Sequence, residues 1–423
     1  MSELKVYQIG LGSFGRYGFE KLVELQKHFD RVDVTLKGVC DPDPERLERA
    51  EKFGERNDVE FETFRRAEEL YGHAENEEGN IMVYDAGPTE THPRFIKESL
   101  RHGFFHLAEK PPSLEREKHL AEKKLAEQNN VMWKVDFIER ENPVVQKTLE
   151  ILKDERIDSI EVFRESSVGV QKLLDPVTRS GVKGGDILDK MVHEVYVLDF
   201  LEEVGENMEM ELESAEARYF MPRGFNTDKL MSVDGGPKKE IDGKTATART
   251  SATFTAGDAE IRLNSSWIGL SERARIESSK IRQLFDESLL DRGYQSIDEK
   301  AFLYEESRFF VINGSRDLVG DMLHQKLYDL DAGEEIEVPG LLHDQLYRVI
   351  ENAVLNAAGK KSETLSRKET DIFMNAIFDV KDAVVDSAGD FYDELDSARQ
   401  ELGELVIEDN KILEPEESET IAG

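Results

Sequence analysis

The chain has 423 residues, of which 39% are hydrophobic and 34% charged, and its formal net charge is −35 at pH 7. This length allows two or three domains with buried cores, and so acidic a surface disfavours binding to nucleic acid or to anionic membranes. No run of about 18 apolar residues occurs, so no membrane span is expected. The single cysteine, Cys40, excludes an internal disulfide and a cysteine-ligated metal cluster.

The first ten residues lack the basic and apolar segments of a signal peptide, so we expect a cytoplasmic protein. The acidity fits two interpretations. An acidic surface keeps a protein soluble in a salty or crowded cytoplasm, where counterions screen the self-repulsion. Because lysine is not scarce, a generally acidic protein with an acidic tail is the other interpretation.

Strand and helix signals alternate over the first third of the chain. The predicted strands are 4–10, 33–41, 58–63, 80–88, 104–108 and 131–140, and the predicted helices are 14–29, 43–56, 91–103 and 113–130. Such alternation indicates parallel βαβ units and a doubly wound α/β sheet. We therefore expect residues 1–138 to form an NAD(P)-binding Rossmann domain.

The pattern changes after about residue 140. Predicted strands are 158–168, 210–222, 247–255, 259–270, 274–279 and 307–314, and predicted helices are 142–153, 184–203, 341–358 and 367–388. Alternation of polar and apolar residues in these strands is typical of antiparallel sheets with one covered face. We expect residues 139–390 to form an α+β domain with a large, mostly antiparallel open sheet, and residues 391–423 an acidic extension.

A glycine-rich turn follows the first predicted strand and opens the first predicted helix. Gly10, Gly12 and Gly15 have the G-x-G-x-x-G spacing, and Ser13 and Phe14 complete the turn. In this context the glycines permit a tight turn, backbone approach to a pyrophosphate and close helix packing, while the helix start attracts phosphate. The motif predicts a dinucleotide site; an ordinary glycine turn is the alternative.

Asp41 ends the second predicted strand. A carboxylate there can accept both hydrogen bonds from an adenosine ribose and would repel a 2′-phosphate, which favours NAD over NADP. Arg46, one helical turn further on, keeps NADP possible. A purely structural alternative is that Asp41 caps the helix that follows.

Two further segments carry candidate chemical residues. Lys110 lies just past the strand at 104–108 and is followed by two prolines, so it is a fixed cation at the carboxyl end of a parallel strand, where ligands bind. Asp189 and His193 are four residues apart in the predicted helix 184–203, which would place both on one helix face. A surface lysine and a self-satisfied buried pair are the structural alternatives. We predict no metal site.

Four stretches of the chain together resemble one known family. They are YQIGLGSFG, VYDAGPTETHPRFIKESLRHGFFHLAEKPPS, VDFIERENPVVQKTLEIL and GGDILDKMVHEVYVLDFLE. Their order and spacing are similar to the glucose–fructose oxidoreductase and inositol dehydrogenase (Gfo/Idh/MocA) family, and the resemblance extends over roughly residues 4–390. It implies an enzyme that transfers a hydride between NAD(P) and a hydroxyl-bearing carbon of a sugar, cyclitol or sugar derivative. It also implies a homodimer or homotetramer, in which residues 139–390 form the substrate-binding and oligomerisation domain.

The resemblance assigns catalytic and substrate-binding roles to Lys110, Asp189 and His193. An imidazole titrates near neutrality, so His193 would accept the hydroxyl proton as hydride leaves. Lys110 would donate a hydrogen bond to the developing alkoxide or carbonyl oxygen. Asp189 would orient the imidazole or bind a substrate hydroxyl.

Other positions of the resemblance concern the cofactor and the second substrate contact. Pro88, Thr89 and His92 match the segment beside the nicotinamide ribose, and Glu109 and Lys110 match cofactor contacts. Arg179 matches an arginine that contacts substrate or another subunit.

The chain departs from the family pattern at two positions. Asp186 stands where a third glycine is usual, and Tyr196 stands where an aspartate is frequent. We expect both changes to alter the pocket wall, so they put the substrate in doubt more than the chemistry.

Two other functions remain open at this point. Some relatives are redox-neutral lyases or glycosidases that use tightly held NAD to form a transient ketone. A non-catalytic sugar or nucleotide sensor with the same fold is the other alternative, although the retention of Lys110 and His193 weighs against it.

Overall fold

The computed structural model describes residues 3–153, 155–166, 185–206, 208–220, 246–267, 270–271, 273–276, 306–340, 344–360, 370–384, 406–408 and 411–413. The chain divides into two compact units. The first unit comprises Met1–Asn142 and Gly340–Asp371, and the second comprises Pro143–Pro339 and Ile372–Gly423.

Most of the described helices lie in predicted helical segments, although the helix Ala67–Ala74 was not predicted and the segment 184–203 contains two separate helices. The helices are α1 (Ser13–His28), α2 (Pro44–Asn57), α3 (Ala67–Ala74), α4 (His92–His102), α5 (Arg116–Asn129), α6 (Pro143–Leu152), α7 (Gly185–Asp189), α8 (Tyr196–Glu203), α9 (Gln345–Ala357) and α10 (residues 370–384). Gly103 ends α4 with a φ of +77°, as expected for a glycine C-cap. None of the described helices combines the length and the apolar character needed to cross a bilayer.

The first unit contains a parallel sheet of six strands in the order β3-β2-β1-β4-β5-β6. The strands are β1 (Glu3–Ile9), β2 (Asp33–Cys40), β3 (Glu62–Phe64), β4 (Asn80–Asp85), β5 (Phe105–Glu109) and β6 (Trp133–Asp136). The order reverses between β1 and β4, and ligands of such sheets bind outside the carboxyl ends of the strands at this switch point. The predicted doubly wound Rossmann sheet is confirmed.

Both faces of this sheet are covered, because alternate residues of each strand point to opposite faces. Leu4 and Val6 of β1 belong to a core with α1, α2 and α9, whereas Tyr7 and Ile9 belong to a core with α3 and α4. The helix α9 therefore packs on the first sheet although the sequence placed it within residues 139–390. Helical periodicity shows that a helix has an apolar face but does not show which sheet that face covers.

The second unit contains an eight-stranded sheet in the order β14-β13-β12-β11-β7-β10-β9-β8. The strands are β7 (Ile157–Ser166), β8 (Glu211–Phe220), β9 (Ala246–Ala256), β10 (Ala259–Ser266), β11 (Glu306–Gly314), β12 (Leu318–Asp321), β13 (Lys326–Asp329) and β14 (Glu334–Ile336). Every pairing is antiparallel except that of β7 with β10. This confirms the predicted second domain with a large, mostly antiparallel sheet.

Some local predictions for the second unit are wrong. Residues 274–279 read as a strand, but residues 273–276 are helical, because Ala274 packs on Phe163 and Phe309 of the sheet. The sequence also missed β12–β14 and the short hairpin of β15 (Val406–Glu408) and β16 (Lys411–Leu413), which lies inside the acidic extension.

The close packing of α1 on β4 leaves no room for a side chain at Gly18. A Cβ at Gly18 would lie 2.4 Å from Cε1 of Tyr84, which is fully buried. We expect Gly18→Ala to lower the free energy of unfolding by about 1–3 kcal/mol through overpacking, measured by urea denaturation. Gly72→Ala in α3 is the matched control, because nothing lies within 4 Å of its Cβ position; it should raise stability by about 0.4–1 kcal/mol. Equal effects of the two substitutions would contradict this packing.

Candidate active site

The turn after β1 is closed by two tight backbone contacts. Gly10 has a φ of +89°, and a Cβ there would lie 2.4 Å from the carbonyl oxygen of Ala86, which follows β4. A Cβ at Gly15 would lie 2.3 Å from the carbonyl oxygen of Gly10. A Cβ at Gly12 would lie 3.8 Å from Nη1 of Arg46, which is an ordinary contact distance. A side chain would therefore not fit at Gly10 or Gly15, whereas the space beside Gly12 is open. This is the geometry that backbone approach to a pyrophosphate requires.

Gln8 holds the glycine turn from inside the first unit. Its Nε2 donates to the carbonyl oxygens of Gly10, at 2.9 Å, and Gly15, at 2.6 Å. The helix α1 begins at Ser13 and leaves its first N–H groups for a ligand, and Phe14 beside them is 39% exposed. The sequence reasoning missed Gln8, although a buried amide near the end of an apolar strand is a recognisable signal of a structural hydrogen bond.

Asp41 ties the second strand to the glycine turn. Its Oδ2 accepts the backbone N–H of Leu11 at 2.7 Å, and its Oδ1 accepts the backbone N–H of Asp43 at 2.9 Å. Nη1 of Arg46 lies 3.6 Å from Oδ2. The alternative role of Asp41 as a helix cap is wrong, because Asp43 caps α2 by accepting the N–H of Glu45. The Asp41 side chain is only 3% exposed, and its contact with a ribose stays a prediction.

A buried carboxylate organises the segment after β4. Asp85 accepts the backbone N–H of Gly87 at 2.9 Å through Oδ1, and its Oδ2 lies 2.8 Å from Nδ1 of His92. Burial raises the pKa of Asp85, but the neighbouring His92 and His106 outweigh it and lower that pKa. Burial lowers the pKa of His92, but Asp85 outweighs it and raises that pKa.

This network fixes the segment that was expected to lie beside the nicotinamide. Pro88 is exposed and precedes a 3₁₀ helix at Thr89–Thr91, whereas the His92 side chain is only 1% exposed. Direct contact of these residues with a cofactor stays a prediction. Asp85 itself was missed, since a polar residue at the end of a strand has no distinctive spacing.

Lys110 follows β5 directly and is partly exposed. The peptide bond from Lys110 to Pro111 is cis. Glu109, the last residue of β5, accepts a hydrogen bond from the Tyr84 hydroxyl through Oε1 at 2.6 Å. The structure therefore places the predicted lysine at the carboxyl edge of the parallel sheet, next to a carboxyl group that is held from β4.

The predicted continuous helix at 184–203 is wrong. The segment forms α7, which ends at Asp189, then a 3₁₀ helix at Met191–Val195, then α8. Nζ of Lys190 donates to Oγ of Ser166 at 2.5 Å and to the carbonyl oxygen of Ser266 at 2.6 Å, which ties the break to the sheet. Asp189 and His193 are thus not stacked one α-helical turn apart, because the chain tightens from 3.6 to about three residues per turn between them.

Asp189 and His193 nevertheless belong to one compact segment of the second unit. Oδ2 of Asp189 accepts a hydrogen bond from Nε1 of Trp267 at 3.2 Å, which fixes the carboxylate. The backbone N–H of His193 donates to the carbonyl oxygen of Lys190 at 3.0 Å, and the histidine is 9% exposed.

The two departures from the family pattern both lie in the interior of the second unit. Asp186 accepts hydrogen bonds from Thr250, at 3.0 Å, and Ser265, at 2.7 Å. Burial raises the pKa of Asp186, although these hydroxyl groups partly offset the effect. Tyr196 packs against Phe200 and Phe310. Both side chains have zero exposure, and their effect on a pocket wall stays a prediction.

The last sequence predictions for the site concern Arg179 and metal binding. Arg179 lies outside the described residues. Within the part of the chain that the structure describes, no cluster of three or more His, Cys, Asp or Glu side chains could hold a metal ion.

Residues 4–137 match the model of an oxidoreductase family with an NAD-binding Rossmann fold, GFO_IDH_MocA. The predicted family and the NAD-binding fold are therefore confirmed for these residues. No curated protein sequence matches the chain significantly.

Several solved structures have a similar fold. UDP-N-acetylglucosamine 3-dehydrogenase GnnA from Acidithiobacillus ferrooxidans is 18% identical with a TM-score of 0.59, and the alignment covers 91% of this chain and 98% of that one. A levoglucosan dehydrogenase in complex with NADH and levoglucosan is 15% identical with a TM-score of 0.61, covering 92% and 98%. Myo-inositol 2-dehydrogenase from Lactobacillus plantarum is 13% identical with a TM-score of 0.58, covering 91% and 98%. At these identities the likeness shows the fold.

The buried pair of Asp85 and His92 predicts a pH-dependent stability. Asp85→Ala should lower the free energy of unfolding by about 3–5 kcal/mol, because it leaves a buried histidine without its partner. The lowered pKa of Asp85 stabilises the fold above its ordinary value of 3.8, and the raised pKa of His92 stabilises it below its ordinary value of 6.5. Urea denaturation should therefore show the largest effect between these values and smaller effects on either side.

The exposed Asp33→Ala substitution in β2 is the control for this experiment. It should change stability by no more than about 0.5 kcal/mol at any pH. An effect of Asp85→Ala that is equally small, or that does not vary with pH, would show that the pair does not stabilise the segment after β4.

Proposed function

We propose that this chain, which belongs over residues 4–137 to the Gfo/Idh/MocA family of oxidoreductases with an NAD-binding Rossmann fold, is a dehydrogenase of sugars, cyclitols or sugar derivatives. It transfers a hydride between NAD(P) and a hydroxyl-bearing carbon. The observation that carries the proposal is the edge of the first sheet, where the turn open at Gly12 and the cation Lys110 follow β1 and β5 of one parallel sheet.

The residues at this edge fit a dinucleotide. The pyrophosphate would lie over Gly12 and the start of α1, whose free N–H groups and positive dipole end attract phosphate. Asp41, fixed by Leu11 and Asp43, would accept the adenosine ribose and favour NAD over NADP. When bound, the nicotinamide supplies the acceptor or donor of the hydride.

The chain's own groups would handle the proton and the oxygen. His193 accepts the proton of the substrate hydroxyl as the hydride leaves and returns it in the reverse direction. Lys110 donates a hydrogen bond to the oxygen that gains negative charge, which lowers the barrier. Asp189, whose Oδ2 is held by Trp267, binds a substrate hydroxyl or orients the imidazole.

The substrate class rests on likeness in fold. Proteins of similar fold act on a UDP-sugar, levoglucosan or myo-inositol according to their names. We propose a polyol or sugar ring for this chain, with Arg179 as a further substrate or subunit contact. We also propose that the protein works in the cytoplasm as a homodimer or homotetramer.

Removal of the Lys110 cation tests the proposed chemistry. A panel of sugars and cyclitols is screened for NADH formation with the wild-type protein, and Lys110→Ala is then assayed on the substrate that reacts. We expect kcat to fall by about 10²–10³-fold, because the charge that stabilises the oxyanion is lost. NAD binding, measured by fluorescence titration, should stay within a few-fold of wild type.

Lys118→Ala in α5, a surface lysine that pairs with its neighbour Glu115, is the matched control and should leave turnover unchanged. Substrate consumption without net NADH formation would indicate the redox-neutral lyase instead. NAD or sugar binding without any turnover across the panel would favour the sensor. Full activity of Lys110→Ala would exclude the proposed role of the lysine.

A further inference from the structure

Two carboxyl groups lie side by side at the end of β5 and β6. Glu109 and Asp136 are the last residues of these strands and are direct partners in the parallel register. Side chains of paired residues in adjacent strands point to the same face, and the strands lie about 4.8 Å apart. The two carboxyl groups are therefore neighbours on the same face of the first sheet.

Asp136 lacks the donors that an ionised carboxylate needs. The residue is 1% exposed, and within the described part of the chain neither of its oxygens has a hydrogen-bond partner. The Tyr84 hydroxyl lies nearby, but its single proton is donated to Glu109. Two ionised carboxylates are both acceptors and cannot bond to one another, whereas one shared proton makes an O–H···O bond between them.

The charges around the pair decide where the proton resides. Burial and the negative charge of Glu109 raise the pKa of Asp136 well above its ordinary value, and Glu141 adds to this. Burial also raises the pKa of Glu109, but the neighbouring Asp136 and Tyr84, together with His92 and Lys110, oppose the rise.

Glu141 already has its own partners. Its carboxylate accepts from Nδ2 of Asn352 at 2.9 Å and lies 3.1 Å from Nε of Arg348. The Arg348 cation is thus engaged by Glu141. The negative charge of the pair therefore belongs on Glu109, which faces cations, and the proton belongs on Asp136.

We propose that Asp136 stays protonated at neutral pH, donates its proton in a hydrogen bond to Glu109, and thereby acts as a positioning residue that holds the Glu109 carboxylate beside Lys110. The positioning of Glu109 beside Lys110 rests on the proposed function, whereas the protonation state of Asp136 does not. At alkaline pH Asp136 ionises, the two carboxylates repel one another, and Glu109 leaves its place.

Infrared difference spectroscopy on the full chain tests the protonation state without any assay of activity. The wild-type protein at pH 7 should show the C=O stretch of a protonated, buried carboxylic acid that shifts in D₂O. Asp136→Asn should lose this band. Glu109→Gln should lose it too, because the new carboxamide at position 109 donates a hydrogen bond to Asp136 and lets Asp136 ionise. If both variants retain every protonated-acid band of the wild-type spectrum, the inference is overturned.

Glu122 is the matched control for the spectrum. It is a fully buried carboxyl group in α5, and burial raises its pKa to about 8, so it contributes a band of its own. Glu122→Gln should remove that band and leave the Asp136 band in place. If Glu122→Gln removes the only band of a protonated acid, Asp136 is ionised and the inference fails.

The pH profile of kcat/KM tests the positioning role. With the reacting substrate, the wild-type rate should fall on the alkaline limb as Asp136 ionises. Asp136→Asn should keep most of the rate and flatten this limb, because an amide N–H can still donate to Glu109 but cannot ionise. Asp136→Ala should lose about tenfold or more at every pH, since the donor is absent.

The two proposals fail in different ways. If the spectra are as expected but no substrate is turned over, the inference about the carboxyl pair stands and the proposed dehydrogenase function fails. If Lys110→Ala abolishes turnover but Asp136→Asn does not alter the alkaline limb, the proposed dehydrogenase function stands and the positioning role of Asp136 is overturned.

Discussion

The backbone of Gly10 touches the segment that follows β4, and the edge of the first sheet is built around this contact. The space for a Cβ at Gly10 is taken by the carbonyl oxygen of Ala86, and the space at Gly15 is taken by Gly10 itself. These approaches bring the turn after β1, the start of α1 and the segment after β4 together. They also leave Gly12 as the open side of the turn, so the same glycines that close the packing create the room for a phosphate.

Polar groups buried just behind this edge hold its turns in place. Gln8, Asp41 and Asp85 each lie near the end of a strand and bind backbone groups of the turn that follows. Asp41 also binds the backbone of Leu11 in the turn after β1. Buried polar groups destabilise a fold unless they are hydrogen-bonded, and fully satisfied networks make their surroundings rigid. Glu109 and Asp136 extend this row to β5 and β6. Glu109 and Asp136 can form a hydrogen bond with each other only while one of them is protonated. The geometry of the edge therefore depends on pH.

The second unit positions its chemical residues by a different device. Lys190 reaches from the break after α7 to Ser166 and Ser266 of the sheet, and Asp186 binds hydroxyl groups of β9 and β10. The segment is thus fastened to the sheet on both sides of Asp189. Asp189 and His193 owe their relative placement to these contacts and not to an uninterrupted helix.

Local signals in the sequence were sufficient for the six strands of the first sheet, the glycine turn, and the position of Lys110 just past a strand. These features depend on periodicity and on residues close together in the chain, which a single sequence displays directly. The break at Lys190, the packing of α9 on the first sheet and the pairing of Glu109 with Asp136 depend on partners far away along the chain. Only the tertiary structure decided them, because hydrogen bonds, packing and a shared proton are set by which groups meet in space.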